Sequence, residues 1–305
     1  MKHFINFLLL FFLASNPIFA QPDATPATKK YAPAAEENSL LWKISGKGLT
    51  AASYLYGTIH LIDAEKFFLS DSARAGIDKA GMVTFEINME DMMDMSAQMG
   101  LLLKAFMEDG QTLGDLLSEE DYNLVKEHFD KIGMPLFMLE RIKPMFLTVL
   151  ASGDMSPDAL NSGEMVSYEM EIMKLAEEGK KKMGGLETME FQMSVFDSIP
   201  YKAQAEMLVQ SIKSTNAGDE EFAKMMELYL NQDINGMVEM MGDEEGMGNY
   251  EDLLLVTRNK KWIPVMGEMM KQHPTFFAVG AGHLGGETGV VALLRKEGYI
   301  LEPVK

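Results

Sequence analysis

Three hydrophobic rhythms divide the chain. At the start, Phe4 to Ala14 is almost purely apolar behind a single positive charge at Lys2. Leu40 to Ile44 and Ser53 to Tyr56 are then apolar and aromatic runs of strand length, with Gly46 and Gly48 between them as in a hairpin. Ser70 stands where it would cap a helix reaching about Ala80, and Met82 to Ile87 follows as a third strand. Near the other end, Thr275 to Val279 reads as a strand, Glu287 to Lys296 as a helix and Tyr299 to Pro303 as a last strand. Gly298 sits where a helix C-terminus favours a left-handed residue. Between about Met89 and Met270 the apolar spacing changes to three and four residues, as in Leu124-Val125-His128-Phe129 and in Leu208 with Ile212. That stretch is predicted to be nearly all helical, with a brief return to the sheet around Met183 to Leu186. The expected fold is therefore α/β: a central mixed sheet formed by the N- and C-terminal parts, with a long helical insertion over about 89–270 as a cap. A cap over a sheet makes a cleft at the strand ends, where ligands bind.

The first rhythm reads as a secretory signal, residues 1–20, cut between Ala20 and Gln21. Its apolar run is too short to span a bilayer, and no later segment reaches the ~18 consecutive apolar residues a membrane helix needs. Residues 21–37, rich in Ala and Pro, suit a flexible tether, leaving residues 38–305 as the domain. The mature protein is expected outside the cytoplasm, secreted into a periplasm, without an integral membrane segment. With 47% apolar and 24% charged residues in 305, neither disorder nor a fibrous chain is plausible. The net charge of −19 becomes −20 once Lys2 is removed; such a surface repels phosphate backbones and excludes nucleic acid as a partner. Cysteine is absent, which removes thiol nucleophiles, zinc–thiolate sites, iron–sulfur clusters and disulfides together. There is also no Gly-rich phosphate loop, no G-x-S-x-G and no H-E-x-x-H.

Of five histidines, His3 leaves with the signal, and two others share a setting: Gly57-Thr58-Ile59-His60 and Gly280-Ala281-Gly282-His283. Each places an imidazole just past the carboxyl end of an apolar strand, three residues after a glycine that permits close approach. Glu86 is the natural third member, since alternation sets it opposite Val83, Phe85 and Ile87. A carboxylate there is costly to bury unless paired or metal-bound. Two imidazoles and a carboxylate with an open position hold a divalent metal and activate water, so His60, Glu86 and His283 form a candidate metal and catalytic set. Two plainer readings stay open: histidines satisfied at tight turns, and Glu86 paired with Arg258 or a lysine. Arg258 itself would clamp a carboxylate, steady an oxyanion or make a salt bridge. His128 and His273 are expected to be structural, and Glu287 to favour the positive start of the last helix. Among 28 methionines, Met89, Met92, Met93, Met95 and Met99 resemble a cuprous site. Methionine recurs through the helical middle of the chain, however, as in Met225-Met226 and Met237-Met240-Met241, so adaptable cores explain the pattern better.

Taken together and in order, several pieces resemble the TraB/GumN family, which includes the animal Tiki proteases. They are Tyr56-Gly57-Thr58-Ile59-His60-Leu61, Phe85-Glu86, Lys143-Pro144, Gly185-Leu186-Glu187-Thr188 with Gln192, Arg258-Asn259 with Trp262, and Val279-Gly280-Ala281-Gly282-His283-Leu284. Where many relatives have Gly-x-Asp before the mid-chain helix, this chain reads Ser167-Tyr168-Glu169. The resemblance implies an erythromycin-esterase/ChaN-like fold and, for Tiki-like members, a metal-dependent peptidase using manganese or cobalt. It implies His60, Glu86 and His283 as the metal and catalytic set, with Arg258 supporting substrate or transition state. The expected function is an exported metal-dependent hydrolase acting on a peptide or protein substrate. Two alternatives remain: a non-catalytic periplasmic binder of peptide, haem or metal, and a metal-independent esterase-like hydrolase.

Overall fold

A computed structural model of the chain describes residues 31–89, 104–151, 165–216, 220–243 and 250–305, with Gly100 and Gly163. The predicted signal, the first part of the tether and Met92, Met93, Met95 and Met99 lie outside the described residues. Among the described residues eight strands are present: β1 (Leu41–Gly46), β2 (Ser53–Thr58), β3 (Leu61–Asp63), β4 (Met82–Ile87), β5 (Met165–Ser167), β6 (Lys182–Glu187), β7 (Thr275–Gly280) and β8 (Tyr299–Val304). Six of them form one mixed sheet in the order β6-β4-β7-β2-β1-β8. Strands β6, β4, β7 and β2 run parallel, and β1 and β8 are antiparallel to their neighbours. β7 is buried from Thr275 to Val279, which is why it reads as an unbroken apolar run and not as an alternation. The β1–β2 turn passes through Gly46, Lys47 and Gly48, all at positive φ, as the two glycines suggested.

The helices α1 (Asp71–Lys79), α2 (Glu119–Lys131), α3 (Pro144–Ala151), α4 (Tyr168–Glu178), α5 (Met189–Asp197), α6 (Tyr201–Asn216), α7 (Glu220–Leu230), α8 (Ile234–Asp243), α9 (Thr257–Gln272) and α10 (Val290–Lys296) complete the framework. α1 forms as predicted: Ser70 accepts from the Ala73 amide, and Ala73, Gly76 and Ile77 bury one stripe. The described part of the middle of the chain is mostly helical, with β6 where the sequence returned to the sheet. The short β5, which pairs antiparallel with β3 outside the main sheet, is an addition to the expected pattern. The helical part carries its own apolar cluster, including Val125, Phe129, Leu147, Leu208 and Ile212. There the buried Lys143 ammonium pairs with Asp197, and His128 Nε2 meets the Ala151 carbonyl at 2.6 Å, a structural role. The larger cluster, with Trp42, Tyr56, Tyr168, Tyr229, Trp262 and Phe276, binds the sheet to its covering helices.

Two expectations change at the ends. The last helix begins at Val290, not Glu287, because the chain first makes a tight glycine turn in which a Cβ on Gly289 would lie 2.0 Å from the Gly285 carbonyl oxygen. Glu287 therefore sits outside the helix, paired with Lys296 at 3.6 Å, and plays no part at its N-terminus. Residues 31–37 of the expected tether are held: Arg295 donates to both Glu37 oxygens, at 3.1 and 2.7 Å, and to the Tyr31 carbonyl at 3.3 Å. The hydrogen bond from Arg295 holds the Glu37 carboxyl below its ordinary value. Its contribution to stability is thus present at neutral pH and lost as the pH falls through that lowered value. Arg295→Ala is expected to free residues 31–37 to limited proteolysis and to cost about 1–2 kcal/mol in denaturant titration at neutral pH. The difference from wild type shrinks in acid.

Candidate functional site

The four parallel strands end at one place, and each delivers a polar group there. Glu187 closes β6, Glu86 is the penultimate residue of β4, Gly280 ends β7 ahead of the helical turn Ala281–His283, and Thr58 ends β2 two residues before His60. The register sets Ile87 beside Glu187 and Thr58 beside Gly280, so these groups stand level at the carboxyl edge of the sheet. The glycines of the two tetrads serve proximity. A Cβ on Gly57 would lie 3.0 Å from the Ala281 Cβ and from Leu284 Cδ2, and one on Gly280 would lie 3.3 Å from Glu86 Oε1.

α9 supplies the cation. Arg258 and Trp262 share one helix face at i,i+4 spacing, and both reach Glu187. Arg258 Nε donates to Glu187 at 2.9 and 3.3 Å, Nη2 donates to Glu187 Oε1 and Glu86 Oε2 at 2.6 Å each, and the Trp262 indole donates to Glu187 Oε2 at 2.9 Å. Nη1 donates to the Leu254 carbonyl at 3.2 Å and meets His283 Nε2 at 3.3 Å. All five guanidinium N–H groups are therefore engaged. The π-helical turn Asp252–Val256 immediately precedes α9 and brings the Leu254 carbonyl within reach.

His283 is buried against the Trp262 ring, with 4.4 Å between centroids. Its tautomer follows from its neighbour. Asn259 Nδ2 donates to the Thr288 carbonyl, so Oδ1 faces His283 Nδ1 at 2.7 Å, and Nδ1 must carry the hydrogen. Nε2 then carries the lone pair that accepts from Arg258 Nη1, and it lies 3.7 Å from Glu86 Oε1. Burial pushes His283 down to about 4, against the pull of Glu86, so the ring is neutral at neutral pH. Burial alone would raise the Glu86 carboxyl; the charges of His283, Arg258 and His60 and the Gly280 amide, at 2.8 Å, hold it at about 2.

His60 stands apart from this cluster. Its Nδ1 lies 3.2 Å from Glu169 Oε1, which also accepts from Thr58 Oγ1 at 2.8 Å, and its side chain is 79% exposed. The Glu169 hydrogen bond raises it to about 9, helped by the charges of Glu169 and Glu86 and opposed by crowding and Arg258; the exposure of the ring softens all of these. Thus Glu86, Arg258 and His283 come into direct contact, and His60 comes within electrostatic reach of them. Among the described residues no three His, Asp or Glu side chains are grouped closely enough to hold an ion. The shell expected of His60, Glu86 and His283 is not closed, because a guanidinium lies against two of its members and Glu169 holds the third. Reasoning from sequence had no role for Asn259, Trp262 or Glu169. The Arg258–Trp262 spacing was a usable signal for Trp262, whereas Glu169 meets His60 only through the pairing of β3 with β5.

Comparison with known proteins adds the following. The family model described as TraB/PrgY/gumN family matches residues 40–303. Metalloprotease TIKI1 of Danio rerio is 24% identical over 324 residues, covering 88% of this chain and 64% of its own length. Metalloprotease TIKI1 of Homo sapiens is 23% identical, with 88% and 62% covered, and Metalloprotease TIKI2 of Danio rerio is 22% identical, with 87% and 61% covered. The chain spans less than two thirds of the length of these relatives. No solved structure matches.

The contacts of Glu187 lead to a stability prediction. Glu187→Ala leaves the buried Arg258 with Glu86 as its one carboxylate partner and the Trp262 indole without an acceptor. The variant is expected to lose about 3–5 kcal/mol, read as a lower denaturation midpoint at unchanged slope. Glu187→Gln, which keeps an acceptor for the indole, is expected to lose less.

Proposed function

The chain belongs to the TraB/PrgY/gumN family, and from that premise we propose that it is an exported hydrolase that cleaves peptide bonds in protein substrates at the site of Glu86, Arg258, His283 and His60. The observation that carries the reading is the convergence of a neutral imidazole, a carboxylate and a fully hydrogen-bonded guanidinium at the carboxyl edge of the sheet. The name metalloprotease, borne by the relatives, suggests a divalent-metal requirement. The donors fit such an ion in kind. His283 and His60 both have Nδ1 tied to a fixed acceptor, so Nε2 is the nitrogen that would ligate, once Arg258 Nη1 leaves the one and a proton the other. The buried groups Arg258, Glu86 and Glu187 also leave one negative charge uncompensated. In this reading His60, Glu86 and His283 would hold the ion, manganese or cobalt, after drawing closer together than they stand. When bound, the ion polarises the scissile carbonyl and lowers the pKa of a water molecule.

The chain's own residues have separate tasks. Asn259 keeps the His283 lone pair on Nε2. Glu187 and the Trp262 indole hold Arg258, whose Nη2 and Nη1 in turn hold the Glu86 carboxylate and His283 Nε2 in place at the site. A second reading draws on the guanidinium itself, which lies against both Glu86 and His283. There the hydrolysis needs no metal: neutral His283 accepts the proton of the attacking water at Nε2, and protonated His60 supplies one to the leaving amine.

Purified protein incubated with peptide libraries, with and without manganese, tests both. Wild type is expected to cleave, and His60→Ala, His283→Ala and Glu86→Gln to lose at least about 100-fold in kcat/KM. Arg258→Lys, which keeps the charge and loses the fork, is expected to fall by a comparable factor. Loss of turnover on chelation with recovery on adding manganese selects the first reading, and turnover indifferent to chelator selects the second. Cleavage by the histidine variants at the wild-type rate, or none by wild type under any condition, ends both.

A further inference from the structure

Resting on the hydrolase reading, we propose that Glu169 is the positioning residue for His60: it fixes the tautomer and direction of the ring so that Nε2 faces the reacting group. The topology makes the meeting local in space although the residues are far apart in sequence. β3 begins one residue after His60, and β5 ends two residues before Glu169. Leu61 pairs with Ser167, so the antiparallel ladder draws His60 and the first turn of α4 together. Glu169 is then fixed from three sides. Oε1 accepts from the buried Thr58 hydroxyl at 2.8 Å and faces His60 Nδ1 at 3.2 Å, and Oε2 accepts from the Ser167 hydroxyl at 3.3 Å. A carboxylate oxygen only accepts, so the hydrogen on that contact sits on His60 Nδ1, and in the neutral ring Nε2 carries the lone pair.

The ring has little else to hold it. Its side chain is 79% exposed, and the bond to Glu169 is its one hydrogen bond among the described residues. The Glu169 side chain, 16% exposed, is the fixed partner of the two. This carboxylate is distinct from Glu86 and Glu187, which Arg258 occupies. The site therefore has two histidines oriented by different acceptors: Asn259 for His283, and Glu169 for His60.

The test uses metal-free protein labelled with nitrogen-15 in histidine, in alkaline buffer where His60 is neutral, with His60→Asn assigning its signals. Wild type is expected to show hydrogen on Nδ1 of His60, and Glu169→Ala to move it largely to Nε2. Glu169→Leu, which keeps bulk and offers no acceptor, serves if the alanine variant does not fold. Manganese titration by calorimetry is expected to show affinity ten- to a hundred-fold weaker in the variant, with most of it restored by Glu169→Asp. A His60 tautomer unchanged in Glu169→Ala or Glu169→Leu overturns the proposal. If the tautomer changes as expected while wild type neither turns over peptides nor binds manganese, the positioning stands and the hydrolase reading falls.

Discussion

The candidate site is organised around a buried guanidinium shared between two carboxylates. Arg258 joins α9 to the ends of β6 and β4, and every N–H it possesses is used. Taking three charges out of water carries a large desolvation cost, tolerable only because the partners are pre-arranged at hydrogen-bond distance. The same arrangement determines what surrounds it. Glu187 has no freedom left once Trp262 also donates to it, Glu86 is held additionally by the Gly280 amide, and His283 is obliged to offer an acceptor. One residue thus sets the direction of three others.

The fold was legible because most of its elements announce themselves locally. The β1–β2 hairpin, α1 behind Ser70, and the burial of β7 follow from turn glycines, a cap and an apolar run. Glu86 and the two G-x-x-H tetrads were legible for the same reason, each lying at a recognisable strand end. Their geometric relation was only partly so. Glu86 meets Arg258 and His283, which adjacency of β4 and β7 brings about, whereas His60 turns to Glu169.

What escaped the sequence depends on contacts made across long separations. Glu169 lies 109 residues from His60, and only the pairing of two three-residue strands, too short to leave a periodic trace, connects them. Asn259 looked like a companion to Arg258, yet it serves the other side of the helix turn by fixing His283 through a bond to the Thr288 carbonyl. The late start of α10 was hidden likewise, since Glu287 suits a helix N-terminus and the glycine turn around Gly285 and Gly289 prevents it from being one.

The π-helical turn ahead of Arg258 has a consequence for how such a chain tolerates change. A wider turn interrupts the regular angular phase of a helix, so the segment before Asp252 and the segment after Val256 need not share one rotational setting. The direction of the guanidinium is set by Glu187 and Glu86 at the sheet and by the Leu254 carbonyl within the turn itself. A change of chain length before the turn would be absorbed at this joint, leaving the aim of the arginine untouched.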